Sequence, residues 1–357
     1  MKRVLYIGWI GFENLGDELM YDLFKEHFAV LGEGYSLDFV NVEMKYLKNV
    51  SPGDYDLFVL GGGSILNGPG VTISPYVIDF LYNAVMLNKK VMMWGTGIDW
   101  LPKSSISLLE NPQERFPLNM SDLTLMKIRT VFSQSIWSGV RGPLTKKIFD
   151  QIDPSNQIEI SGDSAFLLKL ERKKIPDRKV IGVNWGTSFN NVYGQNEESV
   201  EDQLALALQT LIAQGYKVHL FLVWQKDMEA SVRLYHKIND SDHVTLPVLY
   251  GQNELMERMQ DFEYTINFKL HANYLSLAAQ VPFIALGYRF KIYDFIKSIE
   301  ADSLVVDMDS ATIAEDLLQV HEQLLSNKDT FMSKIETKRN LYAQRLLEPF
   351  AAKLYLH

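Results

Sequence analysis

The sequence predicts an α/β protein with parallel sheets and two domains, and three observations support this. Short apolar runs rich in valine, isoleucine, leucine and aromatic residues end in glycine or polar turns. Amphipathic patterns typical of helices of about 10 to 15 residues follow these runs, which favours parallel strands joined by helices. The chain has 357 residues, whereas one domain commonly holds about 150 residues.

The predicted strands and helices alternate along both halves of the chain. The predicted strands of the first half are residues 3–8, 35–42, 56–63, 90–95 and 136–142. The predicted helices of this half are residues 17–31, 75–88, 121–134 and 143–151. In the second half, the predicted strands are residues 179–186, 217–224, 243–249, 264–268, 282–288 and 303–308, with helices between them. Each half is therefore interpreted as a Rossmann-like domain.

A charged segment separates the two predicted domains. The stretch "LERKKIPDRK" at 170–179 contains a proline and few apolar residues, which is typical of a linker. We predict an N-terminal domain over 1–170, a linker over 171–178 and a C-terminal domain over 179–328. Helical periodicity predicts a last helix within 329–357. The sequence leaves open whether this helix packs back on the N-terminal domain.

Composition and charge exclude several classes of protein. Hydrophobic residues make up 47% of the chain and charged residues 22%, which is ordinary globular composition. The net charge of −9, with no long run of lysine or arginine, argues against nucleic acid as a partner. The absence of cysteine excludes disulfides and thiolate zinc sites and fits a cytoplasmic location. No stretch approaches about 18 apolar residues, so we expect no transmembrane segment.

Two Rossmann-like domains are expected to face each other across a cleft, with functional loops beyond the carboxyl ends of the strands. The first such loop lies in "GWIGFENLGDE", where glycines permit close approach of a ligand to the backbone. We expect Asp17 to cap the following helix, whose N-terminus favours an anion or a polar ligand. The predicted ligand contacts are Gly11, Asn14, Gly16 and Asp17. An ordinary turn between strand and helix is the alternative.

A second loop, "LGGGSILNG", places three glycines after an apolar strand. Ser64 and Asn67 follow and could donate hydrogen bonds to a ligand. We predict that Gly62, Gly63 and Ser64 contact the substrate, although tight packing alone could require one of the glycines.

Arg141 lies in "SGVRGPLTKK", where a strand gives way to a helix begun by Pro143. An arginine in such a crevice can hold a carboxylate or phosphate through two parallel hydrogen bonds. An exposed surface arginine is the alternative. In "SGDSAFLL", Asp163 is expected to cap a helical turn, and a turn-forming role or a ligand contact are the alternatives.

The segment "TINFKLHANYLSLAAQVPFIALGYRFK" at 265–291 runs from a strand into a helix and back into a strand. His271 falls in the first helical turn, where the helix N-terminus disfavours imidazolium, lowers the histidine pKa and makes the ring available as a base. Lys291 follows the next strand at the equivalent turn, and Lys269 lies two residues before His271. An imidazole flanked by cations suits a negatively charged substrate.

Four tryptophans fall at the carboxyl ends of predicted strands, namely Trp9, Trp94, Trp185 and Trp224. An indole face matches the C–H side of a pyranose ring, and the indole N–H can reach a hydroxyl. We predict that at least one of Trp9, Trp94 and Trp185 lines a substrate pocket. The alternative for each is a position at the rim of a core.

In their order and spacing, these motifs resemble the polysaccharide pyruvyl transferases. The resemblance covers most of the chain and rests on "GFENLGDE", "VLGGGSILNG", "SGVRGPLTKKIF", "GDSAFLL" and "LHANYLSLAAQVPFIALGYRFK". Members of this family are similar in fold to two-domain GT-B glycosyltransferases. They transfer a pyruvyl group from phosphoenolpyruvate to sugar hydroxyls as a ketal.

The resemblance implies that His271 is the acid/base residue and that Arg141 and Lys291 hold the phosphate and carboxylate of phosphoenolpyruvate. It also implies a sugar or glycan acceptor from a cell-surface polysaccharide or its precursor, and no cofactor beyond the phosphoenolpyruvate donor. We expect no metal, because the sequence contains neither a carboxylate cluster nor a histidine pair with ligand spacing. The sequence departs from the family at Phe268–Lys269, where serine-arginine is frequent, and at Gly142, where aspartate is frequent.

Two alternatives stay open at this point. A GT-B glycosyltransferase that uses a nucleotide sugar has the same architecture, and fold alone does not separate the two activities. An inactive scaffold or binding protein of an envelope-polymer pathway is the other alternative, and His271, Arg141 and Lys291 argue against it. The sequence does not identify the acceptor, its attachment to a lipid, peripheral association with the inner membrane face, or the oligomeric state.

Overall fold

The computed structural model describes residues 1–11, 15–171, 177–194 and 196–356. The chain forms two compact units: unit 1 comprises Met1–Leu167 with Arg339–His357, and unit 2 comprises Leu168–Lys338. Each unit contains one six-stranded sheet, and the paired strands of both sheets run parallel. The predicted α/β class, with two Rossmann-like parallel-sheet units, is confirmed.

Unit 1 alternates strands and helices along the chain. Its strands are β1 (Lys2–Gly8), β2 (Tyr35–Asn41), β3 (Leu57–Leu60), β4 (Lys90–Thr96), β5 (Trp137–Val140) and β6 (Glu159–Ile160). Its helices are α1 (Leu15–Phe28), α2 (Met44–Leu47), α3 (Pro75–Met86), α4 (Ser104–Glu110), α5 (Asp122–Ser133) and α6 (Pro143–Ile152). The strand order in the sheet is β2-β1-β3-β4-β5-β6.

Unit 2 repeats this alternation. Its strands are β7 (Asp177–Asn184), β8 (Lys217–Leu222), β9 (Val248–Leu249), β10 (Phe262–Asn267), β11 (Phe283–Gly287) and β12 (Val305–Asp307). Its helices are α7 (Glu197–Ala213), α8 (Met228–Ile238), α9 (Gln252–Met259), α10 (Leu270–Ala278), α11 (Phe290–Ser298) and α12 (Ile313–Ala351). The strand order is β12-β11-β10-β7-β8-β9.

Burial of the central strands explains why they read as continuous apolar runs. All four residues of β3, Leu57–Leu60, have no exposed surface, and Val4–Ile7 of β1 are at most 1% exposed. A parallel strand covered by helices on both faces does not need the alternation of apolar and polar residues seen in half-buried strands. The edge strand β2 is only partly buried and carries Ser36 and Asp38.

The last helix, α12, contributes residues to both units. Its backbone departs from helical geometry at Asn327 (φ −124°, ψ 16°), and the residues from Arg339 onward belong to unit 1. There, Phe350 packs edge-on against Trp94 with 5.8 Å between the ring centres. The end of the chain therefore completes the core of unit 1.

Some features differ from the sequence-based expectation or lie beyond it, among them the short helices α2 and α4, which were not predicted. The two-residue strand β6 was not predicted, because Glu159–Ile160 is too short to show a period. Of the predicted linker over 171–178, residues 172–176 lie outside the described residues, and β7 begins at Asp177.

No helix among the described residues is both long enough and apolar enough to span a membrane.

Candidate functional site

In unit 2, two consecutive strand-to-helix connections present cations at the same edge of the sheet. Strands β10 and β11 are adjacent and parallel, so their carboxyl ends lie side by side. Lys269 immediately precedes α10, and Arg289 immediately precedes α11. His271 and Lys291 are each the second residue of the helix that follows. The predicted positions of His271 and Lys291 are confirmed, whereas their roles stay predictions.

A stacked pair of aromatic rings lies among these cations. The buried rings of Phe268 and Tyr288 are 4.1 Å apart and inclined by 26°. The Lys269 ammonium lies 5.6 Å from the centre of the Phe268 ring. The Lys291 ammonium and the Arg289 guanidinium lie 5.5 and 5.9 Å from the centre of the Tyr288 ring. Since ring faces attract cations, the pair stabilises three positive charges at one edge of the sheet.

Lys269 is held by a buried ion pair. Its ammonium lies 3.0 Å from Oδ1 of Asp227 and donates to the carbonyl oxygen of Thr187 at 2.6 Å. The Asp227 side chain has no exposed surface, and the Lys269 side chain is 14% exposed. Because an ammonium group has three N–H donors, these two contacts leave one donor for a ligand.

The Asp227 carboxylate packs against the backbone at Gly186. A Cβ atom on Gly186 would lie 2.3 Å from the Asp227 carboxyl carbon, so only glycine fits there. Burial raises the pKa of Asp227, while the nearby Lys269 charge and the Thr187 N–H, 3.0 Å from Oδ1, oppose the rise. Oδ2 has no hydrogen-bond partner among the described residues. The positive charge of Lys269 is therefore the main interaction that favours the ionised form of the Asp227 carboxyl group.

The loop between β7 and α7, apart from Gln195, is anchored to the neighbouring strand ends. Thr187 in this loop contacts Asp227 and Lys269. Arg289 Nη1 also donates to Ser188 Oγ of the loop at 3.2 Å. The Tyr193 N–H donates to the Tyr288 carbonyl oxygen at 2.9 Å. These contacts fix the loop across the carboxyl ends of β10 and β11.

In unit 1, Arg141 joins the ends of three neighbouring strands. It follows β5 and has no exposed surface. Its Nη1 donates to Ser64 Oγ at 3.0 Å, and its Nη2 donates to the Ile98 carbonyl oxygen at 2.5 Å. These acceptors follow β3 and β4. Arg141 is therefore a buried brace and not an exposed surface arginine, and donor binding by Arg141 stays a prediction.

The three glycines before Ser64 each have a structural reason. A Cβ on Gly61 would lie 2.1 Å from the Tyr6 hydroxyl oxygen, and a Cβ on Gly62 would lie 2.6 Å from Ser164 Oγ. Gly63 has a φ of +96°, in the left-handed region that favours glycine. Packing and backbone conformation therefore account for all three glycines, and substrate contacts by Gly62 and Gly63 stay predictions.

The loop after β1 differs in part from the expectation. Gly11 has a φ of +93°, and its N–H donates to the Glu18 carboxylate at 2.7 Å. Helix α1 begins two residues before Asp17, so Asp17 lies within the first turn and the prediction that it caps the helix is wrong. Gly16 is buried in the same turn. Asn14 lies outside the described residues.

The predicted tryptophans divide into two groups. Trp94 and Trp185 have no exposed surface, and their indole N–H groups donate to the Leu346 carbonyl oxygen at 3.0 Å and to the Glu201 carboxylate at 2.9 Å. Neither indole face is available to a sugar in this structure. Trp9 and Trp224 are partly exposed.

Asp163 is a buried carboxyl group in unit 1. One oxygen accepts from the Ala165 N–H at 3.2 Å, which confirms the predicted capping of a helical turn. The other oxygen has no hydrogen-bond partner among the described residues. Burial raises the pKa of Asp163 to about 6, although the Arg141 charge and the Ala165 N–H lower it.

Three residues of the unit 2 cluster were missed by the sequence analysis. Arg289 immediately precedes α11, just as Lys269 immediately precedes α10. In both places a cation lies two residues before a titratable side chain, and this repeat could have identified Arg289. No sequence signal links Asp227 or Thr187 to Lys269, because their contacts arise from the order of the strands in the sheet.

We expect the stability of unit 1 to depend on the protonation of Asp163. The folded state retains its proton up to about pH 6, whereas an unfolded aspartate loses it near a pKa of about 3.9. The free energy of unfolding should therefore fall as pH rises from about 4 to 6, by about 3 kcal/mol in total. Guanidinium unfolding at pH 4 and pH 7 measures this loss. Asp163→Asn should lack it, and an equal pH dependence in both proteins would contradict the assignment.

Comparisons with solved structures support the fold. Over 100% of this chain, the structure is similar to MnaA from S. aureus bound to UDP, with a TM-score of 0.62, 12% identity and 98% of that chain covered. It is also similar to a single-residue variant of Os79 from O. sativa in complex with UDP (TM-score 0.55, 12% identity, 99% and 100% covered). UGT2 from Phytolacca americana has a TM-score of 0.55 at 10% identity, with 99% and 100% covered. At these identities the likeness shows a GT-B-like fold alone.

Comparison with curated proteins finds no match. The sequence model of the family described as polysaccharide pyruvyl transferase matches residues 14–289, which is most of the chain. This range includes the connections that carry Arg141, Lys269 and His271. The chain therefore belongs to the polysaccharide pyruvyl transferase family.

Proposed function

We propose that the protein transfers a pyruvyl group from phosphoenolpyruvate to two hydroxyls of a sugar, in a cell-surface polysaccharide or its precursor, and releases phosphate. The observation that carries this proposal is the grouping of Lys269, Arg289 and Lys291 with His271 at one edge of the unit 2 sheet. Membership of the pyruvyl transferase family supports the same reaction class.

The cations suit the charge of the donor. Phosphoenolpyruvate carries a phosphate and a carboxylate, and each binds best to charged N–H donors. Lys269 retains one ammonium N–H after its contacts with Asp227 and Thr187. Lys291 lies in the first turn of α11, where the helix N-terminus adds backbone N–H groups and a favourable dipole for an anion.

The histidine suits the proton transfers of ketal formation. Two sugar hydroxyl oxygens bond to C2 of phosphoenolpyruvate, the bond between C2 and the phosphate oxygen breaks, and the methylene carbon becomes a methyl group. One hydroxyl proton is transferred to that carbon, and the other leaves with phosphate. An imidazole can accept a proton from oxygen and return it to carbon. His271 is partly exposed and lies in the first turn of α10, two residues after Lys269, which supports this role.

His271→Ala should lower kcat by roughly 10² to 10⁴ because the variant has no side chain that can transfer the proton. Release of inorganic phosphate from phosphoenolpyruvate, followed with a panel of glycans, measures this loss. His236→Ala removes an exposed histidine from α8 of the same unit and is the matched control. Unchanged turnover in a folded His271→Ala protein would remove His271 from the mechanism.

Asp227→Asn should raise the KM for phosphoenolpyruvate by roughly 10- to 100-fold, because the charged bond that positions Lys269 is lost. The asparagine oxygen can still accept the Thr187 N–H, so the loop should stay in place. Asp302→Asn breaks the exposed pair with Lys297 in the same unit and should have no effect. Equal KM values for both variants would show that Asp227 does not act through Lys269.

A further inference from the structure

Unit 2 contains a polar pocket next to the loop residue Thr187 that contacts Lys269. Its volume is about 580 Å³, within the usual range for small-molecule sites of about 300 to 1,000 Å³. Its walls include Thr187, Phe189, Asn190, Asn196, Glu198 and Arg233. Thr187 belongs both to this wall and to the Lys269 contacts, since its carbonyl oxygen accepts from the Lys269 ammonium.

Phe189 lines this pocket and has an unusual backbone conformation. Its side chain is 64% exposed, and its φ is +54°, in the left-handed region that residues other than glycine rarely adopt. The following residue, Asn190, has a φ of +58°. Two left-handed residues in succession persist only where the surroundings hold them, and such strain is concentrated at ligand sites.

The surroundings of Phe189 do hold this turn. The Phe189 N–H donates to Thr187 Oγ1 at 2.8 Å, and the Asn191 side-chain amide donates to the Ser188 and Phe189 carbonyl oxygens at 2.9 and 3.1 Å.

A single buried carboxylate completes the turn. Glu197, only 6% exposed, accepts from the Asn190 N–H at 3.0 Å and from the Thr187 hydroxyl at 2.8 Å, and also from the Ser188 N–H. Bonds within the chain itself therefore hold the wall that carries Phe189, which would lower the entropic cost of binding a ligand there.

The chemistry of the lining matches a sugar ring. An exposed aromatic face can cover the apolar C–H side of a pyranose. Asn196, Glu198 and Arg233 also line the pocket and carry amide, carboxylate and guanidinium groups that can bond to sugar hydroxyls. The Trp224 ring lies 6.2 Å from the Phe189 ring in an edge-on arrangement and extends the aromatic surface towards Lys269.

We propose that this pocket binds a pyranose unit of the acceptor, with Phe189 as its stacking platform. The assignment of this sugar to the acceptor rests on the proposed function. Thr187 lines the pocket and contacts Lys269, so a sugar in the pocket and a donor bound at Lys269 would lie on either side of one residue. Binding of a pyranose at Phe189 can be tested without any donor.

Saturation-transfer NMR with the methyl pyranosides of glucose, galactose and mannose tests the pocket directly. At least one of these sugars should receive saturation at its ring C–H protons from the wild-type protein. Phe189→Ala should raise its Kd by about tenfold or more, since the apolar contact is lost. Phe189→Tyr keeps the ring and should restore binding.

Leu246→Ala is the matched control. Leu246 is an apolar side chain of the same unit, 62% exposed. It precedes β9, the outermost strand of the sheet, which β8 separates from β7, and it does not line the pocket. This variant should bind the sugar as the wild-type protein does. Absence of saturation transfer for all three sugars, or equal binding by Phe189→Ala and Leu246→Ala, would overturn the proposal.

Phosphate release separates a failure of the pocket from a failure of the proposed reaction. If phosphoenolpyruvate turnover occurs and Phe189→Ala leaves the acceptor KM unchanged, the pocket is not the acceptor site and the reaction stands. If pyranosides bind at Phe189 and no glycan elicits phosphate release, the pocket is a sugar site and the proposed donor is wrong.

Discussion

The ion pair between Lys269 and Asp227 is the contact on which the candidate site of unit 2 depends. Asp227 follows β8 and Lys269 follows β10, so the pair joins elements on either side of β7. The same carboxylate oxygen accepts the Thr187 N–H and thereby anchors the loop after β7. The backbone N–H of Lys269 donates to the Asn184 side-chain oxygen at 2.9 Å. One buried carboxylate therefore positions the ends of three neighbouring strands, because each bond restricts the others.

Lys269, Arg289 and Lys291 concentrate positive charge at one edge of the unit 2 sheet. Two features of the structure offset the repulsion among these charges. Asp227 neutralises Lys269, and the stacked rings of Phe268 and Tyr288 lie against Lys269, Arg289 and Lys291. Like charges in a partly buried region repel one another, so an anion with two acidic groups would relieve the repulsion that remains. A small dianion or trianion, such as the proposed donor, would therefore suit the same geometry that fixes Lys269.

The strand and helix pattern could be predicted because it depends on local periodicity, whereas the partners of individual side chains could not. The positions of His271 and Lys291 follow from where apolar strands give way to helices. The Asp227 contact depends on strand order, which a single sequence does not display. Trp94 and Trp185 show the same limit, because a position at a strand end does not reveal that the indole is fully buried.

A crystal structure of the protein soaked with phosphoenolpyruvate tests the proposed donor site most directly. The phosphate and carboxylate should lie at hydrogen-bond distances of about 2.7 to 3.2 Å from the Lys269 and Lys291 ammonium groups, with His271 facing the methylene carbon. A parallel soak with a UDP-sugar should leave this edge of the unit 2 sheet empty. Phosphoenolpyruvate bound elsewhere, or a UDP-sugar bound at Lys269 in its place, would contradict the proposed pyruvyl transfer.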